Sequence, residues 1–310
     1  MKTAVITGAT GAIGRSLINI CISEGYEVLA IIHRTSARAA ELENIEYCHI
    51  LRLDLSEYDN ALHEMEKQGI FLEGYSLFFH LAWMAPFGKD RNNLELQLDN
   101  VKAALSAVRL AKALGCTAFI GTGSQAEYGR AEGMLSESTP VHPETGYGIT
   151  KLCAGQLTRL NCDQLGLKHI WCRVLSVYGP YDRDQTLIST AVIKMMANEE
   201  TEFTPCDQMW DYIYSDDAAR ALLLMAQKGS HGKTYVLGSG EVHPLRFFIE
   251  QIAAITDYTQ EIGFGKRPYN DNQVMHLQAD IRDLQELGFV NRISFSEGIK
   301  RTIEWRKCSK

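Results

Sequence analysis

The chain has 310 residues, 45% of them hydrophobic, with 31 basic against 38 acidic side chains and a formal net charge of -7. An acidic surplus without any run of five like charges excludes nucleic acid and an anionic membrane surface as expected partners, while the length allows a substantial core in one large or two modest domains. No apolar stretch approaches the ~20 residues of a membrane helix, and the opening MKTAVITGAT is too short for a signal-peptide core, so a cytoplasmic protein is expected.

In chain order, Ala4-Val5-Ile6 reads as a first strand, followed by helical periodicity over 14 to 23. Val28 to Ile32 and His49 to Leu53 are further strands, the second followed by a helix over 57 to 68. Leu77 to His80 leads into a long helix over 94 to 114. Phe119-Ile120 and Ile170 to Val174 continue the series on either side of a helix over about 145 to 166. Six or seven strands in the first 180 residues, alternating with helices, predict an α/β protein with a doubly wound parallel sheet. After Tyr178-Gly179-Pro180 the rhythm breaks. It gives a helix over 186 to 198, an isolated strand at 202 to 204, a helix over 215 to 228, a strand at Tyr235-Val236-Leu237 and helices near 245 and 297. The expected organisation is a dinucleotide-binding domain over 1–180 and a smaller mixed α/β substrate lobe over 181–310, with some crossing of the chain and a ligand cleft between them. Eight cysteines without a C-x-x-C pair read as buried free thiols, and nine histidines without metal spacing predict no metal site.

Residues 7 to 14, TGATGAIG, lie between the first strand and the first helix. Gly8, Gly11 and Gly14 there let backbone approach a pyrophosphate whose charge meets free N–H groups and the helix dipole. The second strand ends His33-Arg34, where NAD-binding chains usually place Asp or Glu to grip the ribose hydroxyls. Arg34, with Arg38, suits a 2'-phosphate and predicts NADP, with NAD as the alternative; the plainer reading makes Arg34 a solvated surface residue. Tyr147 and Lys151 are four apart in TGYGITK and share a helical face. An ammonium beside a phenol lowers the phenol's pKa, making Tyr147 a competent acid or base, and also suits a nicotinamide ribose.

These motifs, with Asp54-Leu55, HLAW at 80 to 83, Asn100, GTGSQAEYG at 121 to 129, RVLSVYGP at 173 to 180 and WDYIYSDDAARAL at 210 to 222, resemble the extended short-chain dehydrogenase/reductases. Within them they resemble the NAD(P)-dependent epimerase/dehydratase group acting on nucleotide sugars. The resemblance covers nearly the whole chain and implies a Rossmann-type cofactor domain. It implies that Gly8, Thr10, Gly11, Ile13, Gly14, His33, Arg34, Asp54, Leu55, Leu81, Ala82, Trp83, Asn100, Thr122 and Val174 bind the cofactor, with Asp54 accepting the adenine amino group. Ser124, Tyr147 and Lys151 would form the catalytic triad, Ser124 bonding the reacting sugar oxygen.

The departures narrow the chemistry. The 4,6-dehydratases of the family look like T-D-E where this chain has Ser124-Gln125-Ala126. An amide and a methyl supply neither acid nor base, so dehydration is not expected. Ser176 replaces a usual Asn, and Trp210 a usual Arg, both of which contact the substrate diphosphate in the family. Trp210 either stacks on a base or fills core, and Arg267 stands where the family has a later phosphate-binding Arg. Substrate contacts are expected from Trp83, Ser124, Gln125, Ser176, Trp210 and Arg267. The pattern implies NADPH reduction of a nucleotide-linked 4-keto-6-deoxy sugar, with a C4 epimerase holding its cofactor tightly as the alternative. A non-sugar alcohol dehydrogenase and a non-catalytic dinucleotide-binding regulator are more distant readings. Excess leucines on the helices carrying Leu94, Leu98, Leu105 and Leu152, Leu157, Leu160, with family relatives that pair through these helices, predict a homodimer.

Overall fold

The computed structural model describes residues 2–270 and 272–308. β1 (Lys2–Thr7) runs into α1 (Ala12–Ser23), followed by β2 (Tyr26–Ile32), β3 (Cys48–Arg52), α2 (Ala61–Lys67), β4 (Tyr75–His80), α3 (Leu94–Leu114), β5 (Ala118–Ser124), β6 (Met134–Leu135), α4 (Gly146–Leu165) and β7 (Lys168–Val174). The rest of the chain forms β8 (Ser176–Tyr178), α5 (Leu187–Met196), β9 (Met209–Trp210), β10 (Tyr212–Tyr214), α6 (Ser215–Lys228), β11 (Thr234–Leu237), β12 (His243–Pro244), α7 (Leu245–Ile255), β13 (His276–Ala279), α8 (Arg282–Glu286) and α9 (Phe295–Cys308).

Seven strands pair in the order β11-β7-β5-β4-β1-β2-β3, all parallel. Their near-continuous apolar sequences fit strands buried on both faces. Ala4, Ile6, Val28 and Ala30 point to a core shared with Leu17 and Ile18 of α1 and Leu222 and Met225 of α6. Val5, Leu29, Phe78 and Phe119 point the other way, to Val108 and Ala111 of α3. The long helices start and stop where their caps dictate. Asn93 accepts from the Leu96 N–H at the start of α3, and Thr145 from the Gly148 N–H at the start of α4. Gly115 and Gly166 end them in the left-handed conformation, φ 84 and 65.

Strand order reverses between β1 and β4, whose Thr7 and His80 lie side by side. That switch point opens a crevice at the carboxyl ends of the strands. α6 packs on the large sheet and β11 belongs to it although both follow α5 of the second lobe, so the chain crosses back. The second lobe has its own core, built on Tyr178, Ile188, Val192, Phe248, Ile252 and Ile299, and carries small sheets ordered β10-β8 and β12-β9-β13-β6.

Two expected elements differ. No regular strand forms at 202 to 204. The Phe203 N–H reaches the Gly263 carbonyl at 2.8 Å and its carbonyl takes the Arg267 N–H at 3.0 Å, but the partner segment turns through Gly265 at φ +77 and no ladder propagates. The helix expected over 57 to 68 begins as a 3-10 turn, Leu55–Asn60, held by an Asp54/Glu57 capping box, before α2. The cysteines are free, five of them buried and Cys308 exposed. Among the described residues no helix is long and apolar enough to cross a membrane.

Candidate active site

At the switch point the backbone is packed so tightly that glycine is required. A Cβ on Gly8 would stand 2.8 Å from the Ala82 nitrogen, and one on Gly14 2.4 Å from the Gly8 carbonyl oxygen. Gly11 is different: a Cβ there would meet nothing nearer than 3.7 Å, and it lines the cleft. Its glycine therefore keeps room for a ligand. Gly11 is also the cap of α1, with no side-chain cap and no acid in the first turn. The first N–H groups of a twelve-residue helix are thus left for an anion. These features fit a dinucleotide's pyrophosphate. Thr7 secures the opposite wall: its hydroxyl accepts from the Leu81 and Ala82 N–H groups at 3.1 and 3.2 Å and pairs with His80 Nδ1 at 3.0 Å. Burial pushes His80 down to about 3, so that ring is neutral.

The cleft, of about 1010 Å³, runs from this loop past the ends of β4, β5 and β7 to the second lobe. Gly8, Thr10, Gly11, Ile13, Gly14, Leu81, Ala82, Trp83, Thr122 and Val174 line its cofactor half; Ser124, Gln125, Tyr147 and Lys151 its centre; and Ser176, Trp210 and Arg267 its far end. His33, Arg34, Asp54, Leu55 and Asn100 do not line it. Asn100 is buried and pins the loop after β4, taking the Met84 N–H at 2.7 Å and donating to the Met84 carbonyl at 3.1 Å. Gln97, buried on the same helix, accepts from Trp83 Nε1 at 2.9 Å and donates to the Ala85 carbonyl at 3.1 Å.

Arg34 lies outside the cleft lining, about a third exposed, and its guanidinium donates to Glu57 at 2.8 and 2.9 Å and to Glu64 at 3.0 Å. Asp54 receives the Arg34 N–H at 3.0 Å and caps the turn after β3. Of the two arginines after β2, Arg38 lines the cleft, donating to the Tyr181 and Thr10 carbonyls at 2.6 and 3.3 Å.

At the centre, Ser124 ends β5, its hydroxyl accepting from the Ala126 N–H at 3.2 Å, with Tyr147 of α4 lining the cleft beside it. The turn that follows is fixed by Glu127, fully buried, which accepts from the Ser124 N–H at 2.8 Å, Trp171 Nε1 at 3.1 Å and Arg173 Nε at 2.8 Å. The Lys151 ammonium donates to the Thr122 carbonyl at 2.7 Å and stands 3.8 Å from the Trp83 ring centroid. Burial pushes Lys151 down to about 7, against the opposing field of Glu127. The sequence predicts a phenol lowered by Lys151, and the structure gives another balance. Burial raises Tyr147, while the Ser124 hydroxyl and the Arg91 guanidinium pull it down. Arg91 was not visible as a site residue from its sequence context.

At the far end the two unusual residues meet. Trp210 Nε1 donates to Ser176 Oγ at 2.9 Å. The Trp210 indole also packs against the apolar core of the second lobe and against a smaller cluster around Tyr128, Leu175 and Leu277 while lining the cleft. Arg267 pairs with Glu202 at 3.1 Å on the cleft's exposed rim.

A parallel sheet with a glycine-lined crevice at its switch point, and a serine, tyrosine and lysine converging beside it, define a Rossmann-type dinucleotide-dependent protein. The profile of the NAD dependent epimerase/dehydratase family matches residues 4–238, and the chain belongs to that family. It is 24% identical to CDP-abequose synthase of Salmonella muenchen over 99% of this chain and 98% of that one. It is 25% identical to dTDP-4-dehydro-6-deoxyglucose reductase of Escherichia coli, over 98% and 97%. Among solved structures, UDP-N-acetylglucosamine 4-epimerase of Methanobrevibacter ruminantium M1 shares the fold with a TM-score of 0.87 at 22% identity, covering 100% of this chain and 99% of that one.

Proposed function

We propose that the protein reduces the ketone of a nucleotide-linked 4-keto-6-deoxy sugar with NADPH. The observation that carries this reading is the Ser124-Gln125-Ala126 turn. The carboxylate that follows this turn, Glu127, is fully buried and already accepts from three donors. Proton chemistry at the centre then rests on Tyr147, Ser124 and Lys151. A bound reduced nicotinamide supplies the hydride. Tyr147 delivers a proton to the ketone oxygen while the Ser124 hydroxyl donates to the same oxygen, holding it against the ring. Lys151, braced on the Thr122 carbonyl, holds the nicotinamide ribose. The similarity to two deoxysugar-pathway enzymes along nearly their whole length supports a nucleotide-sugar substrate.

NADP preference rests on Arg38 in the cleft, since Arg34 is engaged elsewhere. That loss gives weight to a second reading, a C4 epimerase that uses the same three residues. We also infer a homodimer through α3 and α4, whose Leu94, Leu98, Ile149, Leu157 and Leu160 are exposed; a monodisperse monomer in light scattering at micromolar concentration would refute it. The function itself is tested by supplying NADPH with a nucleotide-linked 4-keto-6-deoxyhexose. One NADPH should be consumed per sugar, and the intact hexose should lose no water. Dehydration of the intact hexose would overturn the proposal.

A further inference from the structure

We propose that the loop after β4 seats the C6 methyl of the substrate, with Trp83 and Phe87 as the residues that select a 6-deoxy sugar over one bearing a 6-hydroxyl. The inference rests on the nucleotide-sugar reading above and deepens it. Residues 83 to 87 read WMAPF, and Trp83, Pro86 and Phe87 of this run line the cleft. Several of the run's polar atoms are drawn the other way, onto α3, by two buried amides. Gln97, 0% exposed, accepts from Trp83 Nε1 at 2.9 Å and donates to the Ala85 carbonyl at 3.1 Å. Asn100, 1% exposed, accepts from the Met84 N–H at 2.7 Å and donates to the Met84 carbonyl at 3.1 Å. Ala85 between them sits at φ 49, a left-handed conformation that an alanine keeps only where its surroundings hold it. What the loop turns to the cleft is therefore an indole whose N–H is spent, a proline ring and a phenyl. Phe87 is 56% exposed, so this apolar surface is uncovered.

The topology puts this wall beside the reacting carbon. The strands run in the order β7-β5-β4, so Ser124, at the end of β5, is flanked by the loop after β4 on one side and by the segment after β7 on the other. With the ketone oxygen on Ser124 and Tyr147, the two carbons bonded to C4 extend toward these two sides. C5 carries C6, and C3 carries its own substituent. The segment after β7 brings the Ser176 hydroxyl, between Leu175 and Val177, to the cleft lining. Trp83, Pro86 and Phe87 offer no free side-chain donor or acceptor on the other side. A methyl on C5 loses only water by resting there. A 6-hydroxyl in the same place would give up its bonds to water and find none from these three residues in return.

Calorimetric titration in the presence of NADPH tests the seat without turnover. CDP-, dTDP- and UDP-linked glucose are each compared with the 6-deoxyglucose of the same nucleotide. In every pair that binds, the 6-deoxy sugar should bind roughly 10- to 100-fold tighter, the range that one group commands in an apolar pocket. Trp83→Leu and Phe87→Leu keep the seat apolar and should retain most of that ratio. Trp83→Gln and Phe87→Gln offer an amide to the hydroxyl and should cut it several-fold. Phe87 is exposed, so its two variants carry the test even where a Trp83 variant fails to fold. Equal or tighter binding of the glucose member, with Arg91 of the next turn as the donor within the cleft lining, would overturn the assignment. So would a ratio unmoved by the glutamine variants that fold. Either result leaves the reductase reading to its own test, whereas failure of every pair to bind would overturn the nucleotide-sugar reading and the seat with it.

Discussion

The two ends of the cleft are built on opposite plans. At the end lined by Ser124, Tyr147 and Lys151, these residues are 8%, 9% and 4% exposed, the Ser124 N–H is held by buried Glu127 and the Lys151 ammonium by the Thr122 carbonyl. At the far end, Ser176 and Trp210 satisfy each other, and Arg267 pairs with Glu202 in the open. The first arrangement preorganises dipoles toward one point, as a transition state requires. The second leaves its polar groups content without a ligand, so recognition there must displace existing bonds. On the proposed function, the acid-base residues lie in the more buried part of the cleft and the expected substrate contacts in the more exposed part.

If that contrast is right, changes at the proton-transfer end should dominate. Tyr147→Phe should cut turnover by the ~10²- to 10⁴-fold that acid-base catalysis supplies while dinucleotide affinity, read by fluorescence, stays near wild type. Glu127→Ala should destabilise the fold by about 3–5 kcal/mol in chemical denaturation, because it leaves the buried Arg173 uncompensated.

Lys151 gives the contrast a pH signature. Its pKa lies near 7 in the folded protein, below its ordinary 10.5, so the folded state prefers it neutral. Between those values the unfolded chain binds the extra proton, and this group makes the protein more stable as pH rises, by at most about 1.4 kcal/mol per unit. Below pH 7 the penalty is constant. Lys151→Met should therefore exceed the cofactor-free wild type in stability most at pH 6 and progressively less toward pH 9, as thermal melts will show. A gap that widens with pH would contradict the burial argument.

At the far end and the cofactor rim the effects should be smaller. Arg38→Ala should reduce a several-fold preference for NADPH over NADH, on the order of the 1 kcal/mol of a partly exposed charge contact, while Arg34→Ala should leave the ratio unchanged. Trp210→Phe removes one hydrogen bond to Ser176 and keeps the packing, so KM should move only a few-fold and turnover less.

What the sequence disclosed follows the same line. The glycine loop and the Tyr147–Lys151 pair were legible because a strand-to-helix turn and a four-residue helical spacing are local and fix their own geometry. The acceptors of Arg34, Glu57 and Glu64, lie 23 and 30 residues on, and nothing local announces them. Glu127 and Arg173 meet only through the pairing of β5 with β7, and Arg91 reaches Tyr147 only because Asn92 docks its turn on α4. The expected strand at 202 to 204 had the right residues but a partner that turns at Gly265. Alternation within a segment is readable, and contact between segments is not.

The central claim, reduction by the Ser124–Tyr147–Lys151 end, is tested most directly by isotope transfer. NADPH carrying deuterium at the transferable position, mixed with a nucleotide-linked 4-keto-6-deoxyhexose, should yield a sugar one mass unit heavier, labelled at C4, with one cofactor oxidised for each sugar formed. A 4-hydroxy sugar epimerised with no net oxidation of NADPH, or an intact hexose that loses water through another acid such as the cleft-lining Asp182, would contradict it.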